Sequence, residues 1–121
     1  MTAATIPGLD GRRPIDITTT GRRTGAPRRI EIAIHPINGR LYISGMPSRR
    51  TRGWIYNLET DPRITIHTKQ PGAERDLPGT ARVISDETER RDIIPYVAAR
   101  WGRTDIETMV QFSPLIEVVL D

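Results

Sequence analysis

The run Thr18-Thr19-Thr20-Gly21-Arg22-Arg23-Thr24-Gly25-Ala26-Pro27-Arg28-Arg29 carries the residue types that capture anions without a metal. Glycines at 21 and 25 permit a tight turn whose backbone N–H groups face outward, and four arginines flank them. A guanidinium is a rigid planar fork that matches paired oxygens of a phosphate or carboxylate. Each charge-assisted hydrogen bond of this kind contributes roughly 1.5 to 3 kcal/mol where water is excluded, far more than an exposed surface pair. A single Gly/Arg turn is more often a solvated hairpin tip, so the reading needs a second cluster.

Ser44-Gly45-Met46-Pro47-Ser48-Arg49-Arg50-Thr51-Arg52 supplies one. It joins a strand to the start of a helix containing Trp54, where free amides and the helix dipole favour anions. If the strand ends after Thr20 and before Gly45 reach one rim, both clusters line a single groove.

Other chemistry is poorly represented. There is no G-x-S-x-G elbow, Walker A loop, G-x-G-x-x-G turn or H-E-x-x-H helix. Cysteine is absent, which removes disulfides, thiolate metal sites and cysteine nucleophiles. His35 and His67 are the only histidines, both in strand-like runs, and are read as packed or solvent-facing imidazoles, with no metal expected. Tyr42, Tyr56 and Tyr96 are proton donors by residue type alone.

The bulk numbers agree with a small anion-binding domain. At 121 residues the chain has the length of one domain, and its 36% hydrophobic and 27% charged residues are ordinary for a globular fold. Through Lys69 it carries twelve cations against five acids, and from Gln70 onward six against ten, so the net positive charge lies in the N-terminal part. Seventeen of the eighteen cations are arginine. A GC-rich genome accounts for arginine abundance as well as function does, but not for its clustering. No run reaches the roughly 18 apolar residues of a membrane span, and Met1 to Gly11 lacks a signal-peptide layout, so a cytoplasmic protein without membrane attachment is expected. The sequence pI of 9.9 raises nucleic acid as a partner. With 5% aromatics and no basic recognition helix, that partner is not expected.

These clusters need elements to hold them. Ile15 to Thr20 is β-branched and reads as a strand ending at Gly21. In Arg28 to Ile37, Ile30, Ile32 and Ile34 alternate with Arg29, Glu31 and Ala33, the period of a strand with one buried face. Asn38-Gly39 suits a type I′ turn, so Arg40 to Ser44 returns antiparallel. Thr51 is placed as the cap of a helix running to about Thr60, stopped by Asp61-Pro62. Two further strands follow, around Ile64 to His67 and from Arg75 to Ser85. Asp86 and Glu89 form a capping box for a helix to about Arg100 that Pro95 kinks, and Trp101 to Phe112 is a second helical piece. Leu115 to Leu120 closes the chain as a strand, with Ile116, Val118 and Leu120 on one face. Met1 to Gly11 reads as a loose, flexible arm. The expected fold is mainly β with α: one domain over residues 1–121, a six-stranded antiparallel barrel with two or three flanking helices.

The run TTTGRRTGAPR, the strand ending in Ser44-Gly45, and Trp54-Ile55-Tyr56-Asn57-Leu58 followed by Asp61-Pro62 resemble the deazaflavin-dependent nitroreductase family, small split β-barrels of the flavin-reductase type. The similarity covers Ile15 to His67 and, by element order alone, Arg75 to Leu120. It implies coenzyme F-420, a hydride carrier with a phosphate and an oligoglutamate tail, in preference to FMN. Carried over by position, Arg22, Arg23, Thr24 and Arg28 hold the tail, Ser44, Gly45 and Met46 lie near the phosphate or ring, and Arg49 and Arg50 complete the second cluster. Trp54 and Asn57 brace the loop and helix behind them.

Relatives often have a lysine and two glycines after the strand serine, where this chain has Gly45, Met46 and Pro47. Pro47 removes an amide donor, and Met46 either packs on the ring or obstructs it. The resemblance implies hydride transfer to a small electron-poor acceptor such as a quinone, nitro compound or enone. The alternative is a non-catalytic barrel holding F-420, a flavin, a tetrapyrrole or a fatty acid. Barrels of this kind often pair, so a homodimer stays open.

Overall fold

A computed structural model describes residues 6–121. Six strands, β1 (Ile15–Thr20), β2 (Pro27–Ile37), β3 (Arg40–Ser44), β4 (Arg63–His67), β5 (Asp76–Val83) and β6 (Leu115–Leu120), are joined by local turns and by three helices, α1 (Gly53–Thr60) after β3 and α2 (Glu87–Arg100) and α3 (Ile106–Phe112) between β5 and β6. The strands close into a barrel in the order β1-β2-β3-β6-β5-β4, every pair antiparallel. The expected six-stranded antiparallel barrel with flanking helices is what forms.

The isoleucine alternation sets the register. Ile17 lies opposite Ile30 on one side and Ile66 on the other, so the same side chains meet inside the barrel. Asn38 (φ 51°) and Gly39 (φ 78°) take the left-handed conformations that a two-residue hairpin between β2 and β3 requires. β3 is buried on both faces, with Leu41 and Ile43 in the barrel and Tyr42 in a second core under α2 and α3. Burial, and next the Glu117 carboxylate, push the Tyr42 phenol above its ordinary range.

Helix α1 joins β3 to β4, which stand well apart around the barrel. It therefore crosses one end, and Trp54, Ile55 and Leu58 plug that end as part of the barrel core. The opposite end is closed by Leu9, which has no exposed surface. Residues 1–5 of the expected loose arm lie outside the described residues, whereas its described part is anchored through Leu9.

Three local expectations change. Helix α1 is preceded by Arg52, with no side chain capping it, so Thr51 is not the cap. α2 begins as expected, Asp86 Oδ2 accepting from the Glu89 amide at 2.9 Å, and continues through Pro95 to Arg100. Trp101 to Asp105 is not helical, because Gly102 turns the chain at φ 65° before α3. The fifth strand stops at Val83, and Ile84 turns into the second core. Among the described residues no helix is long and apolar enough to cross a membrane.

His35 on β2 is 1% exposed, edge-on to Trp101 at 5.1 Å, and neither ring nitrogen has a hydrogen-bond partner. Burial, with Arg100 adding to it, lowers its pKa from 6.5 to about 4. Below pH 6.5 the unfolded chain takes up a proton that the folded one refuses, so His35 lowers stability progressively from pH 6.5 down to about 4. At about 1.4 kcal/mol for each tenfold difference in proton affinity, the loss is roughly 2 to 3 kcal/mol. Urea unfolding of His35→Phe is expected to show a markedly flatter decline over that interval, and parallel curves for the two proteins would contradict this.

Candidate functional site

The first arginine bend folds on itself before it offers anything to a ligand. Gly21 N donates to Ala26 O and Gly25 N to Gly21 O, both at 2.8 Å, and Ala26 N donates to Thr24 Oγ1 at 3.2 Å. Gly25 sits at φ 73°, and a Cβ on Gly21 would lie 3.0 Å from the Ala26 carbonyl oxygen. The amides at 21, 25 and 26 are thus engaged inside the bend. The expectation of outward-facing amides is corrected at these positions, which leaves the guanidinium groups as the donors the bend presents.

The bend is docked on α1. Arg22 N donates to Asn57 Oδ1 at 3.1 Å, and Arg22 Nη1 lies 3.4 Å from both Gly53 O and Asn57 Oδ1. The Arg22 guanidinium also lies over the Tyr56 ring at 5.1 Å. Asn57, 6% exposed, uses its other end to donate to Thr19 Oγ1 at 3.1 Å. One amide side chain therefore ties strand, bend and helix together. Asn57→Leu, by orphaning the Arg22 amide and the Thr19 hydroxyl, is expected to lower unfolding free energy by about 2 kcal/mol. Chemical denaturation measures it, and a change below about 0.5 kcal/mol would remove Asn57 from this role.

Between bend and helix lies a cleft of about 510 Å³, lined by Gly21, Arg22, Arg23, Thr24, Arg28, Ile30, Gly53, Trp54 and Asn57. Arg23 and Arg28 make no ion pair or side-chain hydrogen bond among the described residues. Arg29 belongs elsewhere. It faces the outer barrel wall at 2.9 Å from Asp16, whose carboxyl is held below its ordinary range first by Lys69 at 2.6 Å.

The second cluster reaches the same end of the barrel but another cleft. At 3.6 residues per turn, Gly53, Trp54 and Asn57 share one face of α1, while Arg52, Ile55 and Glu59 share the opposite one. The latter line a space of about 320 Å³ with Ser48, Arg49 and Arg50. The bends do meet, at the first turn of α1, yet α1 separates what they line. The expectation of one shared groove is corrected to two clefts.

Three expected site residues lie in neither cleft. Ser44 is 1% exposed, and its hydroxyl donates to Pro114 O at 2.6 Å. Gly45 has the Arg52 guanidinium and Pro114 packed over its Cα. Met46 is 52% exposed, with Arg103 Nη1 donating to its sulfur at 3.0 Å. Conversely, Ile30 and Gly53 line the first cleft without having been singled out. Ile30 is visible in sequence only as a strand position, and Gly53 only as the residue before Trp54. On the outer wall, Thr18 Oγ1, His67 Nε2, His67 Nδ1 and Asp76 Oδ1 form a chain with contacts of 2.6 and 2.7 Å, linking β1, β4 and β5.

The molecule is a closed six-stranded barrel with arginine-lined clefts at its helix-plugged end. The chain belongs to the F420H(2)-dependent quinone reductase family, whose model matches residues 3–113. It is accordingly an oxidoreductase whose coenzyme is F-420. In fold it is similar to an F420-H2 dependent reductase, FDR-A, at 21% identity over 89% of this chain and 95% of that one, TM-score 0.64. An F420 reductase gives a TM-score of 0.70 at 13% identity, covering 94% and 90% of the two chains. HutZ, the heme storage protein of Vibrio cholerae, gives 0.67 at 17% identity, covering 93% and 84%. No curated protein matches the chain in sequence.

Proposed function

We propose that the cleft between the Arg22–Arg28 bend and α1 holds the anionic tail of F-420, and that the chain reduces a small electron-poor acceptor, a quinone before a nitro compound or an enone. The observation that carries this is the pair Arg23 and Arg28, two guanidinium groups with no carboxylate partner among the described residues, both lining a cleft of about 510 Å³. A chain of carboxylates supplies the charge they lack, so the residues present fit the coenzyme. Arg22 sits between two roles, fastening the bend to Gly53 and Asn57 while adding charge to the cleft wall. Thr24, also on the lining, already gives its oxygen to the Ala26 amide and so keeps the bend closed. Trp54, 8% exposed, fixes the helix by packing into the barrel and also lines the cleft.

When bound, reduced F-420 supplies a hydride, which with one proton converts a quinone to a hydroquinone. The protein binds and orients. Among the residues lining the cleft none is a tyrosine, histidine or carboxylate. Tyr42 is buried in the second core, Tyr56 lies beneath Arg22, and Tyr96 faces solvent on α2. None of the three tyrosines lines the cleft assigned to the tail.

The storage alternative, supported only by likeness of fold to a heme-storage protein, is separated by turnover. Titration of the purified protein with F-420 and with FMN, followed by F-420 reoxidation with menadione, is expected to give saturable binding of F-420, weaker binding of FMN, and menadione-dependent turnover. Binding without turnover would favour storage.

A further inference from the structure

The second cleft, across α1, has no ligand assigned to it so far. Its wall carries Arg49, Arg50, Arg52 and Arg90 against a single carboxylate, Glu59. Among the described residues none of the four arginines forms an ion pair. Arg49 is held over the Phe112 ring at 4.9 Å, and Arg52 by the Met46 carbonyl at 3.0 Å. The loop itself is pinned by Ser48 N donating to Phe112 O at 2.9 Å. Arg90 lies deeper, bonded only to backbone carbonyls, and burial pushes its guanidinium below its ordinary pKa because no counter-charge offsets it.

A second, independent feature points to a guest. Ser113 lines this cleft at 3% exposure, and its hydroxyl is a buried side-chain group with no hydrogen-bond partner. Buried hydroxyls are nearly always satisfied, so an orphaned one beside uncompensated positive charge marks a place for a charged acceptor. The donors present outnumber what a monoanionic carboxylate accepts, whereas a phosphate offers three terminal oxygens and nearly two charges. The remaining wall, formed by Ile55, Val83 and Phe112, is apolar, and about 320 Å³ exceeds what a bare phosphate fills.

We infer that this cleft is a second anion site, distinct from the coenzyme cleft, that takes a small phosphomonoester. Arg50 and Arg52 donate to the phosphate oxygens, Ser113 is the neutral donor, Arg90 supplies fixed charge, and the organic part rests on Ile55 and Phe112. Only the separateness of the site rests on the coenzyme reading.

The test follows backbone amide resonances of the full chain, with and without F-420, during titration with phenyl phosphate at constant ionic strength. Sodium chloride and benzoate serve as parallel titrants. Expected are saturable shifts at Gln111, Ser113 and Leu115 and at residues 49–52, weakened about tenfold in both Arg50→Ala and Ser113→Ala. F-420 affinity should change less than about threefold in Ser113→Ala. Absence of saturation, or equal shifts with chloride, would overturn the site. Equal affinity for benzoate would overturn the phosphate assignment. Displacement of phenyl phosphate by F-420, with loss of F-420 binding in Arg50→Ala, would make the cleft part of the coenzyme site and overturn its separateness. A normal F-420 affinity in Arg23→Ala would count against the coenzyme reading alone.

Discussion

Replacing Arg23 and Arg28 together by alanine is expected to weaken F-420 binding about 100-fold while leaving thermal stability within about 2 °C of the parent. Each guanidinium loses charge-assisted hydrogen bonds of roughly 1.5 to 3 kcal/mol at full shielding, and the open side of the cleft cuts that to about 1.4 kcal/mol apiece. The stability half follows from what the two side chains do in the folded chain. Neither makes an ion pair or side-chain hydrogen bond among the described residues, so the fold loses no polar contact with them. Menadione-dependent kcat at saturating F-420 should stay within about twofold, because uniform binding has been removed rather than transition-state contacts. Fluorescence titration with F-420 gives the affinity, and a loss below about threefold would show that the tail lies elsewhere.

The second large effect is on stability. Arg90 ties three elements together. Its Nε donates to Val110 O at 2.8 Å and its Nη1 to Ile84 O at 2.9 Å, while Nη2 reaches Met109 O at 3.4 Å and also donates to Ser113 O. Those carbonyls follow β5, terminate α3 and lead into β6, where regular strand and helix pairing runs out. Arg90→Met keeps much of the side-chain volume but leaves several acceptors unpaired at about 1 kcal/mol or more each. The expected loss is about 3 kcal/mol, a fall of roughly 10 °C in Tm for a chain of this size. Differential scanning calorimetry measures it. A fall under about 3 °C would mean that water satisfies the freed carbonyls and that the guanidinium is held there for some purpose other than structure.

The barrel was readable in the sequence because its strands obey period two with isoleucine at the inward positions, and because Asn38-Gly39 leaves the β2–β3 register no freedom. The Arg22–Arg28 bend was readable as a turn because Gly21 and Pro27 bracket it between two strand-like runs. What escaped depends on partners distant in sequence. Ser44 was placed near the ligand by its position at a strand end, yet its hydroxyl is fixed by Pro114, 70 residues away. The division into two clefts depends on which face of α1 each residue takes, and that rotation is set by Trp54, Ile55 and Leu58 entering the barrel. Leu9, in a Gly- and Pro-punctuated stretch, looked loose because nothing local shows that it closes one end of the barrel. Arg90 and Ser113 carried no signal at all, being an ordinary helix arginine and a serine before proline.

That the Arg22–Arg28 bend holds the anionic end of the coenzyme is the central claim, and a thermodynamic cycle tests it most directly. Dissociation constants are measured for F-420 and for its deazaflavin riboside, which lacks phosphate and tail, in the parent chain and in Arg23→Ala/Arg28→Ala. The parent is expected to prefer F-420 by about 100-fold, and the variant by no more than about threefold, with riboside affinity unchanged. An undiminished preference in the variant, or an equal loss of riboside binding, would contradict the assignment.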